Sequence, residues 1–234
     1  MKNIVVAILV SIFCFPDSFA QRVETRKLNG DFDKLEVFGK LEVELVKSSG
    51  SEVKIKTDDD ISLDDIKIEI KDRKLKISMT AEIFSSQKKV NIQVPFNEIR
   101  EIETSGGADV RSFDAVTGDK IDFKAVSGGN LYLTVHLKTL DAKVTQGSTI
   151  VFEGDVESQV VSASSGGVYS AYDLECNDSY VGTSTGGKAK VTANHLLDAK
   201  ATSKGWIGYT GKPKDKNIKE SLGGVVEEGV VNEN

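Results

Sequence analysis

Histidine, cysteine and proline are scarce in this chain, and each shortage removes a class of explanation. The two histidines, His136 and His195, fall at the ends of strand patterns, with no cysteine or acidic residue at metal-ligand spacing. Neither reads as a metal ligand. Of the two cysteines, Cys14 lies in an N-terminal leader, which leaves Cys176 no internal disulfide partner. A nucleophilic thiol needs a partnered histidine, and nothing near Cys176 supplies one, so a structural thiol is expected. Three prolines beside 21 glycines do not describe a disordered, low-complexity chain. No stretch sustains an apolar period of 3.6 residues, so no long helix is expected. A Gly-x-Ser-x-Gly elbow, a phosphate-binding glycine loop and a dinucleotide fingerprint are all missing, because the paired glycines precede strand patterns. Neither a catalytic residue nor a cofactor follows from the motifs. Net charge −6 and pI ≈ 5.1 argue against nucleic acid as a partner.

The N-terminus reads as an export signal. Lys2 gives a positive start, Ile4 to Phe15 form an apolar run too short to span a bilayer comfortably, and Ser18-Phe19-Ala20 place small residues at −3 and −1. Cleavage is expected between Ala20 and Gln21, removing residues 1–20. Cys14 follows Phe13, which disfavours lipidation. The mature chain then carries no transmembrane segment and belongs in the periplasm, on the outer-membrane surface or outside the cell. Its organisation reads as a flexible leader over 21–31, one β-domain over 32–226 and a tail over 227–234.

Within that domain, residues 32–104 look rich in hairpins. Leu41, Val43 and Leu45 alternate with polar residues, as do Val53 and Ile55 beyond the Ser48-Ser49-Gly50-Ser51 turn, which predicts a first hairpin. Ile66, Ile68 and Ile70 are followed by a turn at Lys71-Asp72-Arg73-Lys74 and a return through Leu75, Ile77 and Met79, which predicts a second. The acidic run Asp58-Asp59-Asp60 with Asp64-Asp65 lacks the glycine-punctuated loop and terminal glutamate of a Ca²⁺ site, and reads as a solvated loop.

Residues 105–224 are organised by one returning phrase. It reads Thr104-Ser105-Gly106-Gly107, Val126-Ser127-Gly128-Gly129, Val144-Thr145-Gln146-Gly147 and Ser164-Ser165-Gly166-Gly167, then Ser184-Thr185-Gly186-Gly187, Thr202-Ser203-Lys204-Gly205 and Glu220-Ser221-Leu222-Gly223. The last glycines are separated by 22, 18, 20, 20, 18 and 18 residues. A period near twenty with strand patterns between glycines is the mark of a solenoid. The fold class expected is therefore all-β: a single-stranded β-helix with coils of about 20 residues, preceded by N-terminal β-hairpins. Coils about 4.8 Å apart would give a stack of about 29 Å. Glycine at Gly107, Gly129, Gly147, Gly167, Gly187, Gly205 and Gly223 would supply a sharp corner in each coil. Ser105, Ser127, Thr145, Ser165, Thr185, Ser203 and Ser221, two residues earlier, would form one hydroxyl ladder. Seven equivalent positions point to structure, not to a catalytic serine. Ala125, Ala163, Ala199 and Ala201 imply a narrow core. The charged turn Lys212-Pro213-Lys214-Asp215-Lys216, with Glu227 and Glu228 beyond, would blunt the C-terminal end.

These phrases, the run Phe32-Asp33-Lys34-Leu35-Glu36-Val37 and the closing Trp206-Ile207-Gly208-Tyr209-Thr210-Gly211-Lys212-Pro213 resemble the auto-transporter adhesin head domain, the GIN domain, over roughly residues 32–226. The resemblance implies a shape similar to pectin-lyase-like β-helices, export, a role in adhesion and no established catalytic set. Its motif is structural, so no functional residue carries over. Gln146, Lys204 and Leu222 depart from the family's glycine-serine-glycine form.

The function expected is a non-enzymatic binding or adhesion module of the cell envelope, with a polysaccharide or a cell-surface protein as partner and self-association through the solenoid ends. If Leu131, Leu133, Ile207 and Tyr209 point inward, then Tyr132, Phe152, Tyr172 and Trp206 point outward and form an aromatic strip for sugar rings or peptide surfaces. The alternative is a carbohydrate-active enzyme, a polysaccharide lyase or hydrolase, for which Asp109, Arg111 and Asp114 are the minimal acidic set. Converging acids in a cleft would favour the enzyme, exposed aromatics on a flat face the binding module.

Overall fold

The computed structural model describes residues 22–57, 62–80 and 90–229. The leader with its cleavage site, the Asp58-Asp59-Asp60 run and residues 230–234 lie outside the described residues. Among those described the chain is all-β, about 70% strand, with a 3-10 turn at Leu63–Asp65. Four strands open it, β1 (Arg22–Lys27), β2 (Lys34–Phe38), β3 (Leu41–Lys47) and β4 (Glu52–Thr57). They are followed by β5 (Ile66–Lys71), β6 (Lys74–Met79), β7 (Val90–Phe96), β8 (Glu101–Ser105) and β9 (Asp109–Ser112). Three long strands come next, β10 (Val116–Ala125), β11 (Asn130–Thr145) and β12 (Thr149–Ser164). The chain closes with β13 (Val168–Ala171), β14 (Leu174–Ser184), β15 (Lys188–Thr192), β16 (Leu196–Thr202), β17 (Trp206–Thr210), β18 (Asp215–Ser221) and β19 (Val225–Glu228).

These strands stack as a β-solenoid of about seven turns, with coils about 19 residues apart. Each coil runs along a first face, turns a corner and runs along a second. On the first face β8, β10, β11, β12, β14, β16 and β18 pair in parallel, and Phe123, Ala142, Val161, Val181, Ala199 and Ile218 stand in register. On the second, β9, β11, β12, β13, β15, β17 and β19 pair in parallel, and Leu131, Ile150, Tyr169, Ala189, Ile207 and Val226 stand in register. The long strands bend and serve both faces. Side chains alternate between core and solvent, so each face buries one set of columns. Leu131, Leu133, Ile207, Tyr209 and the four alanines named above are all buried. Where those alanines leave room, the rings of Phe123 and Phe152 meet 4.6 Å apart, and Phe152 and Tyr169 meet at 5.9 Å. Such edge-on pairs add about 0.5–1.5 kcal/mol each to the burial of the rings.

The corner is a two-residue turn with positive φ at both central positions, closed by the N–H of the fourth residue donating to the carbonyl of the first. Ser165 (φ 49) and Gly166 (φ 74) make one such turn, closed by Gly167 N–H to the Ser164 carbonyl at 2.9 Å. The coils are tied together there as well. Gly128, Gly147, Gly166 and Gly186 donate to the carbonyls of Gln146, Ser165, Thr185 and Ser203 in the next coil, at 3.2–3.3 Å. The residue after the turn has ordinary φ but lies against the preceding coil, where a Cβ on Gly167 would sit 2.5 Å from the Val144 carbonyl oxygen. Gly167 is thus required by close approach. The positive φ belongs to the residue before it.

That geometry shifts the repeat seen in the sequence. The structurally equivalent residues are Ala108, Gly129, Ser148, Gly167, Gly187, Gly205 and Gly224, each the residue that closes its turn. Gly107, Gly147 and Gly223 instead occupy the second turn position, with φ 85, 70 and 75. The single hydroxyl ladder accordingly divides into two columns. Thr145 accepts from Ser164 at 3.2 Å and Thr202 from Ser221 at 3.1 Å, while Ser127, one position along, donates to Gln146 at 3.0 Å. Ser165, Thr185 and Ser203 share the positive-φ position of Ser127, and Ser105 shares the position of Thr145.

The N-terminal part departs further from the sequence reading. The second hairpin forms as expected, with β5 and β6 antiparallel and Asp72 and Arg73 both at positive φ. The first does not form. β3 is flanked on both sides by parallel strands, β7 and β9, and β4 pairs antiparallel with β7 instead. Likewise β2 lies in parallel between β6 and β8. β2 with β3, and β6 with β7, therefore continue the parallel stack at its N-terminal end, and they do so out of chain order. Within the stretch expected as a flexible leader, β1 pairs antiparallel with β4 along its whole length and Leu28 is buried. Residues 225–228, partly assigned to the tail, form β19.

Candidate functional site

On the second face two outward columns run the length of the stack. One passes through Asp109, Asn130, Thr149, Val168, Lys188, Trp206 and Val225. The other, two residues along each strand, contains Arg111, Tyr132, Val151, Ser170, Lys190, Gly208 and Glu227. Beyond the corner the chain is committed to alternation, so these columns cannot enter the core without breaking the ladder.

Three of the four expected aromatic residues lie at this surface. Tyr132 is half-buried, with the Arg111 guanidinium carbon 4.7 Å from its ring centroid. Trp206 is half-buried and its indole N–H donates to Glu227 at 2.8 Å. Tyr172 lies across the outer surface, its hydroxyl over Gly208 and Gly229, where any side chain would collide with it. Burial, then the neighbouring Glu227 carboxylate, raises the pKa of this phenol. Lys190 stands 5.6 Å from its ring centroid. The fourth residue, Phe152, is a core residue, 1% exposed. Its coil closes the turn with Ser148, so the inward positions are Ile150 and Phe152, and Val151 faces out.

Sequence reading missed Phe113. It follows β9 and is 87% exposed, the most exposed of the large apolar residues described. Its parity with Asp109 and Arg111 was the available signal. Arg111 and Phe113 stand between two depressions. The larger, about 520 Å³, spreads over β4, β7, β3 and β9, with Glu42, Glu44, Asn91, Gln93 and Asp109 in its lining. The smaller, about 310 Å³, lies over β11 and β12 and includes Tyr132, Thr134 and Glu153. The polar side chains are pre-paired: Gln93 donates to Glu44 at 2.8 Å, Asn130 to Asp109 at 2.7 Å and Thr134 to Glu153 at 2.6 Å.

The minimal acidic set is brought together only in part: Asp109 and Arg111 line the larger depression, and Asp114 is not in its lining. Asp109 is held by Asn130, whereas Asp114 accepts the backbone N–H of Lys47 at 2.7 Å. Both histidines are exposed and each meets an aspartate of a neighbouring coil, His136 with Asp155, and His195 with Asp178 at 2.8 Å. No group of three or more potential metal ligands gathers among the described residues. Cys176 is buried at 1% exposure, and burial raises the pKa of its thiol. It lies near a buried polar chain in which Tyr169 donates to Gln159 at 2.7 Å and Gln159 to Ser179 at 2.8 Å. That network satisfies core polar groups. No helix among the described residues is long and apolar enough to cross a membrane.

A family model described as putative auto-transporter adhesin, head GIN domain, matches residues 31–213 and so ends just before β18. No curated protein matches the chain. Among solved structures, a putative adhesin from Bacteroides fragilis NCTC 9343 has a TM-score of 0.74 at 19% identity, over 89% of this chain and 97% of that one. A putative adhesin from Parabacteroides distasonis ATCC 8503 has a TM-score of 0.67 at 21% identity, covering 90% of this chain and 98% of that one. A putative lipid binding protein from the same organism gives 0.67 at 18% identity, with 90% and 97% covered. At these identities the likeness is one of fold.

Proposed function

The chain belongs to the auto-transporter adhesin head GIN domain family, and from that premise we propose that it is an exported, non-enzymatic adhesion module that meets its target through the outer second face. The target is a polysaccharide or a protein of a cell surface. The observation that carries this reading is the gathering of Phe113, Tyr132, Tyr172 and Trp206 on one sheet face, three of them half-buried and one nearly free in solvent. Rings fixed on a stacked sheet bury contact area at small entropic cost. The depressions are lined by charged and amide groups, which suits a polar target better than the acyl chain of a lipid. In the larger depression Glu44 and Asp109 are engaged by the amides of Gln93 and Asn130, and that favours binding over cleavage.

Changing Phe113, Tyr132 and Trp206 together to Ala is expected to reduce adherence of protein-coated beads to cells or extracellular polysaccharide several-fold, with the melting temperature held. Undiminished adherence would reject the face. Incubation with a polysaccharide panel is expected to leave chain lengths unchanged, and shortened chains would restore the enzyme reading. Intact-mass analysis of the envelope fraction should find Gln21 as the first residue. Retention of residues 1–20 there would reject cleavage at Ala20.

A further inference from the structure

We propose that the larger depression, walled by Arg111 and Phe113, binds a neutral oligosaccharide laid across the strands along the axis of the coil stack. This rests on the adhesion reading and gives it a ligand class. The lining is chemically specific. Glu44 and Gln93 form a carboxylate–amide pair at 2.8 Å that offers a fixed acceptor and donor side by side, as vicinal hydroxyls require, and Asp109, oriented by Asn130 at 2.7 Å, adds a second fixed acceptor. Phe113, 87% exposed, gains nothing for the fold at that position, and its face is open to the C–H surface of a sugar ring.

Other polymers fit less well. A peptide that adds as a strand needs a free sheet edge. Here β7, β3 and β9 are each paired on both sides, so only side chains are offered. A polyanion would meet Glu42, Glu44 and Asp109, against Lys56 and Arg111 as the cationic lining. The spacing of coils, about 4.8 Å, is close to the repeat of an extended pyranose chain, so successive sugars meet successive strands. The smaller depression beyond Phe113, with Tyr132 on its wall, continues the same path.

The test is titration of the mature protein with cello-, xylo-, manno- and laminari-hexaose, beside an oligogalacturonate and phosphatidylethanolamine–phosphatidylglycerol vesicles, with cell adherence measured in parallel. At least one neutral hexaose is expected to bind saturably. Phe113→Ala, and separately Glu44→Ala with Gln93→Ala, should weaken it by about tenfold or more without moving the melting temperature, while Tyr180→Ala, at a residue 40% exposed on the first face, should not. Tyr172→Ala with Trp206→Ala is titrated beside them. If the Tyr172/Trp206 pair abolishes hexaose binding and Phe113→Ala does not, the groove is overturned and the adhesion reading stands. Binding confined to oligogalacturonate or vesicles overturns the ligand class. If no sugar binds but Phe113→Ala abolishes adherence, the target is protein and the proposal falls alone. If no probe binds and no variant of the face alters adherence, the proposal and the adhesion reading fall together.

Discussion

The two ends of the solenoid are closed by different means. At the N-terminal end the outermost coil, β6 with β7, receives strands of opposite direction: β5 pairs with β6, β4 with β7, and β1 with β4. Reversal uses up the backbone donors and acceptors of the last parallel strands and brings apolar side chains with it, Val53 and Ile55 being fully buried. At the C-terminal end the parallel strands β18 and β19 are themselves the edge and, like the antiparallel β1 and β5 at the other end, pair on one side only among the described residues. There the closing device is side-chain chemistry. Lys216 and Glu220 stand in register with the buried Leu197 and Ala201, and Glu228 with Tyr209. The last coil thus puts charges at positions that are apolar in the coil before it. Lys216 lies over the Tyr209 ring, 5.4 Å from its centroid, and Glu220 accepts the N–H of Val226 at 2.5 Å. Inward charges on an edge deter the addition of another strand. A cap of reversed strands buries apolar side chains over the last parallel coil, whereas a charged coil guards its edge at little gain in stability.

The strongest test of this contrast compares one residue type at the two ends. Ile55→Ala in β4 should cost about 2–5 kcal/mol in denaturant unfolding, as a fully buried isoleucine does. Ile218→Ala in β18, where the side chain is 41% exposed, should cost less than about 1 kcal/mol. Equal losses would mean that both ends are closed alike.

A second comparison uses one collision in two places. A Cβ at Gly187 runs into the Ala163 carbonyl, and a Cβ at Gly224 runs into that of Ala201. Gly187→Val should therefore cost about 3 kcal/mol by equilibrium denaturation, since backbone on both sides prevents relief. Gly224→Val should cost about 1 kcal/mol or less, because the last coil can part locally from the stack. Hydrogen exchange is expected to show β18 and β19 opening before β14 and β16.

Replacing the charged cap sharpens the contrast further. Lys216→Leu with Glu220→Ala restores what the preceding coil carries, and should change stability by no more than about 1 kcal/mol. The expected effect is on association. Light scattering should detect concentration-dependent association that is stronger in the variant than in the parent. If both stay monomeric, the charges are not what guards that edge.

The smallest effect is expected from surface charge near the sealed end. A hydrogen bond from Lys76, aided by Lys74, holds the Glu36 carboxyl below the usual range. Because the folded pKa is the lower, the stabilisation is complete above the unfolded value and is lost as pH falls through the folded one. Glu36→Gln should thus cost less than about 1 kcal/mol at neutral pH, a difference that vanishes in acid. A larger cost, or one that persists in acid, would mean that surface charge contributes to sealing that end.

Legibility in the sequence followed distance along the chain. The hairpin around Asp72-Arg73 could be read because its partners are adjacent and its turn residues are local. The alternation of Leu41, Val43 and Leu45 was equally clear, but β3 pairs with strands about 50 and 70 residues onward, and alternation names no partner. The candidate site divides in the same way. Tyr132, Tyr172 and Trp206 could be placed outward by counting from their corners. Phe152 could not, because Gly147 and Gly167 look alike as letters yet occupy different turn positions.

What the sequence determined by itself is the repeat, the β-class and the need for glycine near each corner, since these depend on short-range sterics and periodicity. The order of the N-terminal coils, the turn position each glycine fills and the opposite treatments of the two ends were decided only by tertiary structure. Each depends on which strand lies 4.8 Å away or so, and local sequence does not encode that. The groove beside Phe113 belongs with them. Its walls come from β3, β7, β9 and the chain just beyond, segments far apart in sequence that only the stacking of coils makes neighbours.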